Sequence, residues 1–260
     1  PTVIDMLCRI QETNPRDISS LHGIVLMGSP LDKEPCKRYM KVLTPNIFNG
    51  YGTTETFWNV FLRPYDLPDK AGYAGGACTD DDVRVVRVDT TKHVSPDELV
   101  PMDKETVGEV VIFAPNKSTF AYYDNPKTTE EKFHNGWLYT GDLATWDEHA
   151  YITIIGRKDD MIVSAGENIY PVQVESILNE HPKVAESLVF GIPDPKRGSV
   201  IAALIRPSDP SLTEKEMKQF CMNHPMLAPY KRPRIFRFVK ELPHNATGKL
   251  LHKLPPDFKF

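Results

Sequence analysis

The stretch GRKDDMIVSAGENIYPVQVE, residues 156–175, decides how the C-terminal part of this chain folds. It is preceded by the β-rich run YITII at 151–155, and a second such run begins at Met161. The charged block 157–160 therefore connects two strands, and four successive charges favour a solvated hairpin turn. Gly166 ends the second run and permits a positive φ or the close approach of another molecule.

A helix is predicted to begin at Pro171, because proline is accepted in a first helical turn. Its apolar face would consist of Val174, Ile177 and Leu178. Further strands are predicted at 187–190, 200–205 and 235–239, and a helix at 214–223. At the start of that helix, Thr213 with Glu216 forms a capping box, and Leu212 with Met217 forms a hydrophobic staple. This pattern predicts a small α+β domain over 156–260.

Residues 1–155 are predicted to form α/β layers followed by a mainly β subdomain. A buried strand at 23–27 leads into a helix at 31–41, and β-branched runs lie at 83–88 and 108–113. The first ten residues read as an amphipathic helix whose inward residues are Val3, Ile4, Leu7 and Ile10. The fold class is thus α/β and α+β.

Composition narrows the possible partners. The chain has 260 residues and a formal net charge of -4, so nothing in the overall charge favours a nucleic acid. Four cysteines without metal-ligand spacing predict neither a disulfide framework nor a zinc site, and favour a reducing, cytoplasmic setting. No apolar run approaches the roughly 20 residues of a membrane-spanning helix, so no integral membrane segment is expected.

Four segments carry candidate chemistry: NGYGTTE at 49–55, YTGD at 139–142, the run 156–175, and PHNATGK at 243–249. Each alone is a weak signal. In this order and at these separations they resemble the adenylate-forming superfamily of acyl-CoA synthetases, luciferases and peptide-synthetase adenylation domains. The resemblance extends from Gly28 to Lys249.

The first segment places an aromatic ring between glycines and follows it with hydroxyls and a carboxylate, which suits a nucleotide. The resemblance implies that Tyr51 lies against adenine with Gly52 beside it, Thr54 contacts phosphate and Glu55 helps to hold magnesium, which favours oxygen ligands. The plainer interpretation is that the glycines shape a turn and Glu55 caps the next helix. Gly28, Ser29 and Pro30 resemble the loop lining the adenine and acyl pockets, but also fit an ordinary strand-to-helix turn.

Asp142 follows a predicted Thr-Gly turn, and a carboxylate there can accept both hydroxyl hydrogens of a ribose. The resemblance implies Arg157 as its partner; an ordinary turn is the alternative. Trp137 and Trp146 are assigned to packing. The acidic run 80–82 lacks the spacing of a calcium loop and is predicted to be solvated.

In the C-terminal part, the resemblance implies that Asp159 is the hinge, with the hinge region near 157–160, about which the small domain rotates between two half-reactions. Gly166 would line the channel for the pantetheine arm. Lys249 would contact the substrate carboxylate and the bridging oxygen, because joining two anions requires a positioned cation. The alternatives are a solvated hairpin and a surface lysine.

The predicted function is that of an acid–CoA ligase that uses ATP, magnesium and CoA and acts on a small-molecule carboxylic acid. The alternatives are an adenylating domain that loads a carrier protein, an oxidation that emits light, and a non-catalytic nucleotide-binding or assembly module. The Ser/Thr/Gly-rich phosphate loop of the superfamily is absent from the 260 residues. We therefore expect a C-terminal portion, inactive alone, that functions with a missing N-terminal half or a homodimer partner. The acyl group is not specified.

Overall fold

The computed structural model describes residues 2–244 and 250–252. The chain divides into two compact units, Pro1–Ile154 and Ile155–Phe260. Both combine helices with sheets, so the predicted α/β and α+β class is confirmed. Within the described residues no helix is long and apolar enough to cross a membrane.

The first unit begins with a four-stranded sheet in the order β1-β2-β3-β4. Its elements are α1 (Thr2–Thr13), β1 (Ile24–Met27), α2 (Lys33–Val42), β2 (Ile47–Thr53), β3 (Phe57–Leu62) and β4 (Gly76–Ala77). β1 and β2 are parallel and the other pairs antiparallel. The predicted strand–helix step at the start is confirmed. The core beneath it includes Cys8, Cys36, Ile47 and Leu62.

The predicted inward face of α1 is largely wrong. Ile4 and Cys8 are buried, but Val3, Leu7 and Ile10 are 71%, 48% and 52% exposed. The reason is that α1 contacts α2 through a narrow face, on which residues four positions apart, such as Ile4 and Cys8, lie one above the other.

Ion pairs flank that line. Arg38 of α2 binds Asp5 and Glu12 of α1, each at 2.6 Å. Hydrophobic periodicity identified the helix correctly but not which part of its apolar stripe finds a partner.

A five-stranded sheet completes the first unit. It contains β5 (Asp82–Val86), β6 (Gly108–Phe113), β7 (Phe133–His134), β8 (Trp137–Trp146) and β9 (Ile152–Arg157), with α3 (Pro126–Lys132) before β7. The order is β5-β6-β8-β7, and β9 also pairs with β8. Val85, Val110, Ile112 and Leu138 fill its core, which confirms the mainly β subdomain.

The second unit is built on a three-stranded sheet in the order β12-β13-β14. Its elements are β10 (Ile162–Ser164), β11 (Glu167–Ile169), α4 (Pro171–Leu178), β12 (Val184–Asp194), β13 (Gly198–Pro207), α5 (Glu214–Asn223) and β14 (Ile235–Phe238). β12 and β13 are antiparallel, and β14 is parallel to β13.

The helix starts of this unit follow the predictions. The Thr213 hydroxyl accepts the Glu216 N–H at 3.2 Å, which is one half of the predicted capping box. Leu212 and Met217 are buried in one cluster, as a hydrophobic staple requires. The face predicted for α4 is also correct, with Val174 and Leu178 fully buried.

The charged block 157–160 is not a hairpin turn. β9 continues to Arg157, and Lys158–Asp160 forms a single 3-10 turn. β9 pairs with β8, whereas β10 pairs with β11, so the strands on either side of the block do not pair with each other. The block instead joins one sheet to the next.

The hairpin in this region lies one step further along the chain. Ser164 pairs with Glu167, so its loop is the dipeptide Ala165–Gly166, with φ of 52° and 87°. Two consecutive positive φ values are what the favoured two-residue hairpin loops need. The positive φ predicted for Gly166 is confirmed.

Candidate functional site

The segment NGYGTTE is mostly strand rather than loop. β2 continues through Gly50, Tyr51 and Gly52 to Thr53, and pairs with β3 across a three-residue turn at 54–56. A Cβ on Gly52 would lie 1.8 Å from the Phe57 carbonyl oxygen. The chain's own backbone therefore requires glycine at this position. The interpretation that the glycines shape a turn is corrected, because both lie in a strand of a bulged hairpin that presents Tyr51 and Glu55.

Tyr51 and Asp142, which the sequence assigned to the same nucleotide, are in direct contact. The Tyr51 hydroxyl donates a hydrogen bond to Asp142 Oδ2 at 2.7 Å across 91 positions of sequence. Both side chains are half-buried. An aromatic ring and a carboxylate thus lie side by side at a partly open position, as a nucleoside site needs.

Asp142 lies within a strand and not after a turn. β8 runs through Thr140, Gly141 and Asp142, which together oppose one residue of β6 at a register shift between Glu109 and Val111. Gly141 adopts φ of 74°, and its N–H donates to the buried Glu109 carboxylate at 3.2 Å. Such a bulge redirects a side chain, and here it involves the residues leading to Asp142. Glu109 was missed by the sequence analysis.

Glu55 is held by a residue that no motif indicated. The Tyr122 hydroxyl donates a short hydrogen bond to Glu55 Oε1, and the Thr119 N–H donates to the Glu55 carbonyl at 3.0 Å. Burial raises the pKa of Glu55, but hydrogen bonds from Tyr122, from its own backbone N–H and from Thr53 outweigh it and leave this pKa below its ordinary value. Glu55 is therefore an anion at neutral pH. It caps no helix, since β3 follows it.

A buried polar chain supports the hairpin behind Glu55. Thr53 and Thr56 hydroxyls lie 3.1 Å apart, and Thr56 donates to Asn59 Oδ1 at 2.7 Å. Asn59 in turn donates to Asp81 Oδ2 at 3.0 Å, and Lys117 Nζ lies 2.5 Å from the same oxygen. The Asp81 side chain is 1% exposed, so the prediction that 80–82 is a solvated run is wrong at its central residue. Its partner Lys117 lies 36 positions away, beyond the reach of a local pattern.

Gly28, Ser29 and Pro30 leave the sheet beside this position. Met27 is in parallel register with Gly50, so Gly28 follows the end of β1 next to Tyr51 of β2. Ligands of parallel sheets bind at the carboxyl ends of strands, which is where both segments lie. Gly28 has φ of 89°, as a strand-to-helix turn also requires. The tryptophans pack as predicted. Trp146 is buried, and Arg84 Cζ lies 4.8 Å from the centroid of the Trp137 ring.

The remaining predicted site residues belong to the second unit. Arg157 is partly exposed, and its Nη2 lies 4.0 Å from Asp159 Oδ2. Around Gly166 an added Cβ would meet no atom within 4 Å. Lys249 lies outside the described residues. Within the described part of the chain, no group of three or more His, Cys, Asp or Glu side chains could hold a metal ion by itself.

Two family models match separate parts of this chain. The family model described as AMP-binding enzyme matches residues 1–123, and the AMP-binding enzyme C-terminal domain matches residues 173–249. The chain belongs to the adenylate-forming (AMP-binding) superfamily. Curated relatives within that superfamily are named as acid–CoA ligases.

Two curated relatives illustrate the range of this superfamily branch. The chain is 32% identical over 252 residues to a long-chain-fatty-acid–CoA ligase of Escherichia coli O157:H7, covering 97% of this chain and 43% of the relative. It is 37% identical over 251 residues to a 2-succinylbenzoate–CoA ligase of Bacillus cereus strain Q1, covering 96% and 48%. The chain thus spans less than half the length of these curated relatives.

A solved structure of an adenylate-forming enzyme has the same fold. An O-succinylbenzoate coenzyme A synthetase from Bacillus subtilis, in complex with ATP and a magnesium ion, matches with a TM-score of 0.77 and 32% identity. The match covers 96% of this chain and 49% of that one. Membership of the superfamily is shown by these comparisons, whereas the roles of individual residues stay predictions.

Proposed function

We propose that this protein is an ATP-dependent acid–CoA ligase working in two half-reactions. In the first, a carboxylate oxygen attacks the α-phosphorus of ATP, and pyrophosphate leaves. In the second, the CoA thiol loses its proton, its sulfur attacks the acyl carbon, and AMP leaves. The products are a thioester, AMP and pyrophosphate.

The observation that carries this proposal is the Tyr51–Asp142 hydrogen bond of 2.7 Å. It joins the residue proposed to stack on adenine to the residue proposed to bind the ribose. Glu55 lies in the turn that ends the same strand as Tyr51, on the side that we assign to the phosphates. Asp142 can accept ribose hydroxyls because a carboxylate offers several acceptor positions in addition to the one that Tyr51 uses.

Magnesium fits Glu55. Magnesium is bound through one or two carboxylates together with substrate phosphates and water, and does not need a cage of protein ligands. Glu55 supplies an ionised carboxylate, and the neighbouring Thr53 and Thr54 supply hydroxyl oxygens. When bound, the ion would offset the negative charge that develops on the phosphates.

We assign the remaining roles to the second unit by its similarity to the superfamily. Lys249 would stabilise the charge that builds around the α-phosphate, since a positioned cation lowers that barrier. Arg157 would share the ribose with Asp142, and Asp159 would be the hinge about which this unit turns between half-reactions. Gly166 would border the thiol arm of CoA; its surroundings leave room there, because no atom lies within 4 Å of the position of an added Cβ.

CoA is preferred as the acceptor because both relatives compared above are named as CoA ligases. Those two relatives act on acids of different chemistry, a long-chain fatty acid and 2-succinylbenzoate. The acid used by this protein therefore has to be determined by experiment.

A segment exchange tests the proposal. This chain would replace the matching 252 residues of the Escherichia coli ligase, and acid-dependent pyrophosphate exchange and CoA thioester formation would be measured over short, medium, long and aryl acids. We expect both activities with at least one class of acid. Lys249→Ala should abolish exchange, whereas Lys253→Ala, which changes a nearby lysine, should preserve it.

Two other results would point elsewhere. Exchange accompanied by thioester formation only on a carrier protein would contradict CoA as acceptor. A separate calorimetric titration would use a non-hydrolysable acyl-adenylate analogue. We expect the analogue to bind, and we expect Asp142→Ala to weaken that binding. Absence of binding by both this chain and the exchanged enzyme would favour the non-catalytic module.

A further inference from the structure

One lysine joins two sets of contacts at the turn that carries Glu55. Lys117 Nζ lies 2.5 Å from Asp81 Oδ2 and donates to the Trp58 carbonyl oxygen at the same distance. Trp58 lies on β3, whereas Asp81 immediately precedes β5 and Lys117 lies between β6 and α3. The lysine side chain therefore ties its own segment both to the hairpin and to the start of β5.

Asp81 is also the end of the buried polar chain described above. Asn59 donates to the same Asp81 oxygen at 3.0 Å, and the chain continues through Thr56 to Thr53. Asn59 and Thr56 are completely buried. The second oxygen of Asp81, Oδ1, is buried without a hydrogen-bond partner among the described residues. A buried carboxylate is costly unless it is paired, so Asp81 depends on Asn59 and Lys117.

The residues that follow Lys117 hold Glu55 itself. The Thr119 N–H donates to the Glu55 carbonyl at 3.0 Å, and the Tyr122 hydroxyl donates to Glu55 Oε1. Both contacts come from the segment that Lys117 begins. Together with the polar chain, they close into a ring. From Glu55 the ring follows the backbone to Lys117 and crosses to Asp81, and the polar chain then leads back to the turn.

We propose that Lys117 is a positioning residue that, together with Asp81, closes this ring and keeps the Glu55 carboxylate in place for magnesium. The inference rests on the proposed function for the role of Glu55, but the ring itself does not depend on that role. Partners that orient a metal-binding carboxylate without touching the ion raise metal affinity, typically by about 10-fold or more. A carboxylate that is already held also loses less freedom when the ion binds.

Amide hydrogen exchange, followed by NMR, tests the ring without measuring activity. Two reporters lie on the ring, the Thr119 N–H described above and the Cys78 N–H, which donates to the Asn59 carbonyl at 2.8 Å. We expect Lys117→Met to speed hydrogen exchange at Cys78 about tenfold, since an open ring exposes that amide. Asp81→Asn should do the same at Thr119. Asp81 lies 36 positions before Lys117, so neither effect could pass along the local backbone.

A neighbouring lysine provides the matched control. Lys127 is on α3 and its side chain is 86% exposed, so Lys127→Met should leave both reporters unchanged. Lys117→Arg keeps the positive charge and should restore most of the protection that Lys117→Met loses. Hydrogen exchange at Cys78 equal to that of the parent in Lys117→Met would overturn the ring. Because Lys117 is partly exposed, this variant keeps the test valid if Asp81→Asn fails to fold.

Activity of the segment-exchanged enzyme described above supplies the second arm. Lys117→Met should raise the magnesium concentration for half-maximal pyrophosphate exchange about tenfold, with the KM for the acid unchanged, because Lys117 acts through Glu55. Lys127→Met should keep the magnesium dependence of the parent. An inactive parent would contradict the proposed function while leaving the hydrogen-exchange result valid. An active parent whose magnesium dependence is unchanged in Lys117→Met would overturn the positioning role.

Discussion

Tyr51 of the first sheet donates its hydroxyl hydrogen to Asp142 of the second sheet, with the two oxygens 2.7 Å apart. Because each residue lies on a strand of a different sheet, this bond links the two sheets of the first unit at the proposed nucleoside site. A ligand that engages either side chain would also affect the other.

Tyr51→Phe should lower the free energy of unfolding by about 1–2 kcal/mol, because a half-buried carboxylate loses a donor while the ring is retained. Urea denaturation would measure this difference. Tyr65→Phe, at a tyrosine that is 78% exposed, is the control and should change little. Equal stabilities of Tyr51→Phe and the parent would mean that water replaces the hydroxyl fully.

The stabilisation from the Tyr122–Glu55 bond should depend on pH. Since the pKa of Glu55 lies below its ordinary value of 4.5, its contribution is present above that value and is lost as the pH falls through the folded-state pKa. At pH 6, Tyr122→Phe should therefore be less stable than the parent. This difference in the free energy of unfolding should shrink as the pH falls to about 3, across the range in which carboxylates titrate. Urea titrations at several pH values would measure it.

The neighbouring tyrosine provides the control for that experiment. Tyr123 is 99% exposed, so Tyr123→Phe should match the parent at every pH. A Tyr122→Phe variant whose deficit stayed constant with pH would show that packing, and not the charged hydrogen bond, is what the hydroxyl contributes.

Gly52→Ala should destabilise the first unit by about 3 kcal/mol or more, because the new Cβ would lie 1.8 Å from the Phe57 carbonyl oxygen and only backbone movement could relieve it. Gly76→Ala is the matched change in a strand of the same sheet, where the nearest atom would be 3.8 Å away. Thermal unfolding of both would measure the contrast. A mild effect at Gly52 would mean that the hairpin relaxes at little cost.

Asp81→Ala should cost about 1–3 kcal/mol, because the buried Asn59 amide loses the carboxylate that accepts its hydrogen bond, while the partly exposed Lys117 can turn to water. Asp80→Ala changes an exposed carboxylate one residue away and should be nearly neutral. Denaturant unfolding monitored by fluorescence would measure both. Similar costs for the two variants would argue that residue 81 is as solvated as its neighbour.

Regular elements were the most predictable part of the fold. The runs at Gly108–Phe113 and Glu214–Asn223 form the strand and the helix with the expected bounds. In both, hydrophobic periodicity and local capping favour the same structure, so no distant partner is needed to decide it.

Elements that depend on distant partners were harder to predict. Gly50 and Gly52 indicated a turn, but pairing with β3 makes their segment a strand. Gly141 indicated a turn, whereas pairing with β6 makes it a bulge. Local propensity is a weak guide wherever long-range pairing determines the backbone.

Site residues followed the same rule. The motifs assigned Tyr51 and Asp142 to one nucleotide, and the two side chains are in contact although 91 positions separate them. Tyr122 and Glu109 were missed, because a single tyrosine or glutamate has no local pattern that distinguishes it from a surface residue.

The boundary between Ile154 and Ile155 divides no hydrophobic core among the described residues. Each buried cluster draws its members from one side of it: those around Ile47 and Val110 lie before the boundary, and those around Leu178 and Leu188 lie after it. Exchanging residues 155–260 between members of the superfamily would thus keep every one of these clusters whole, while the last three residues of β9 would come from the new partner. Recombination at this boundary would therefore combine units from different members without dividing a buried cluster.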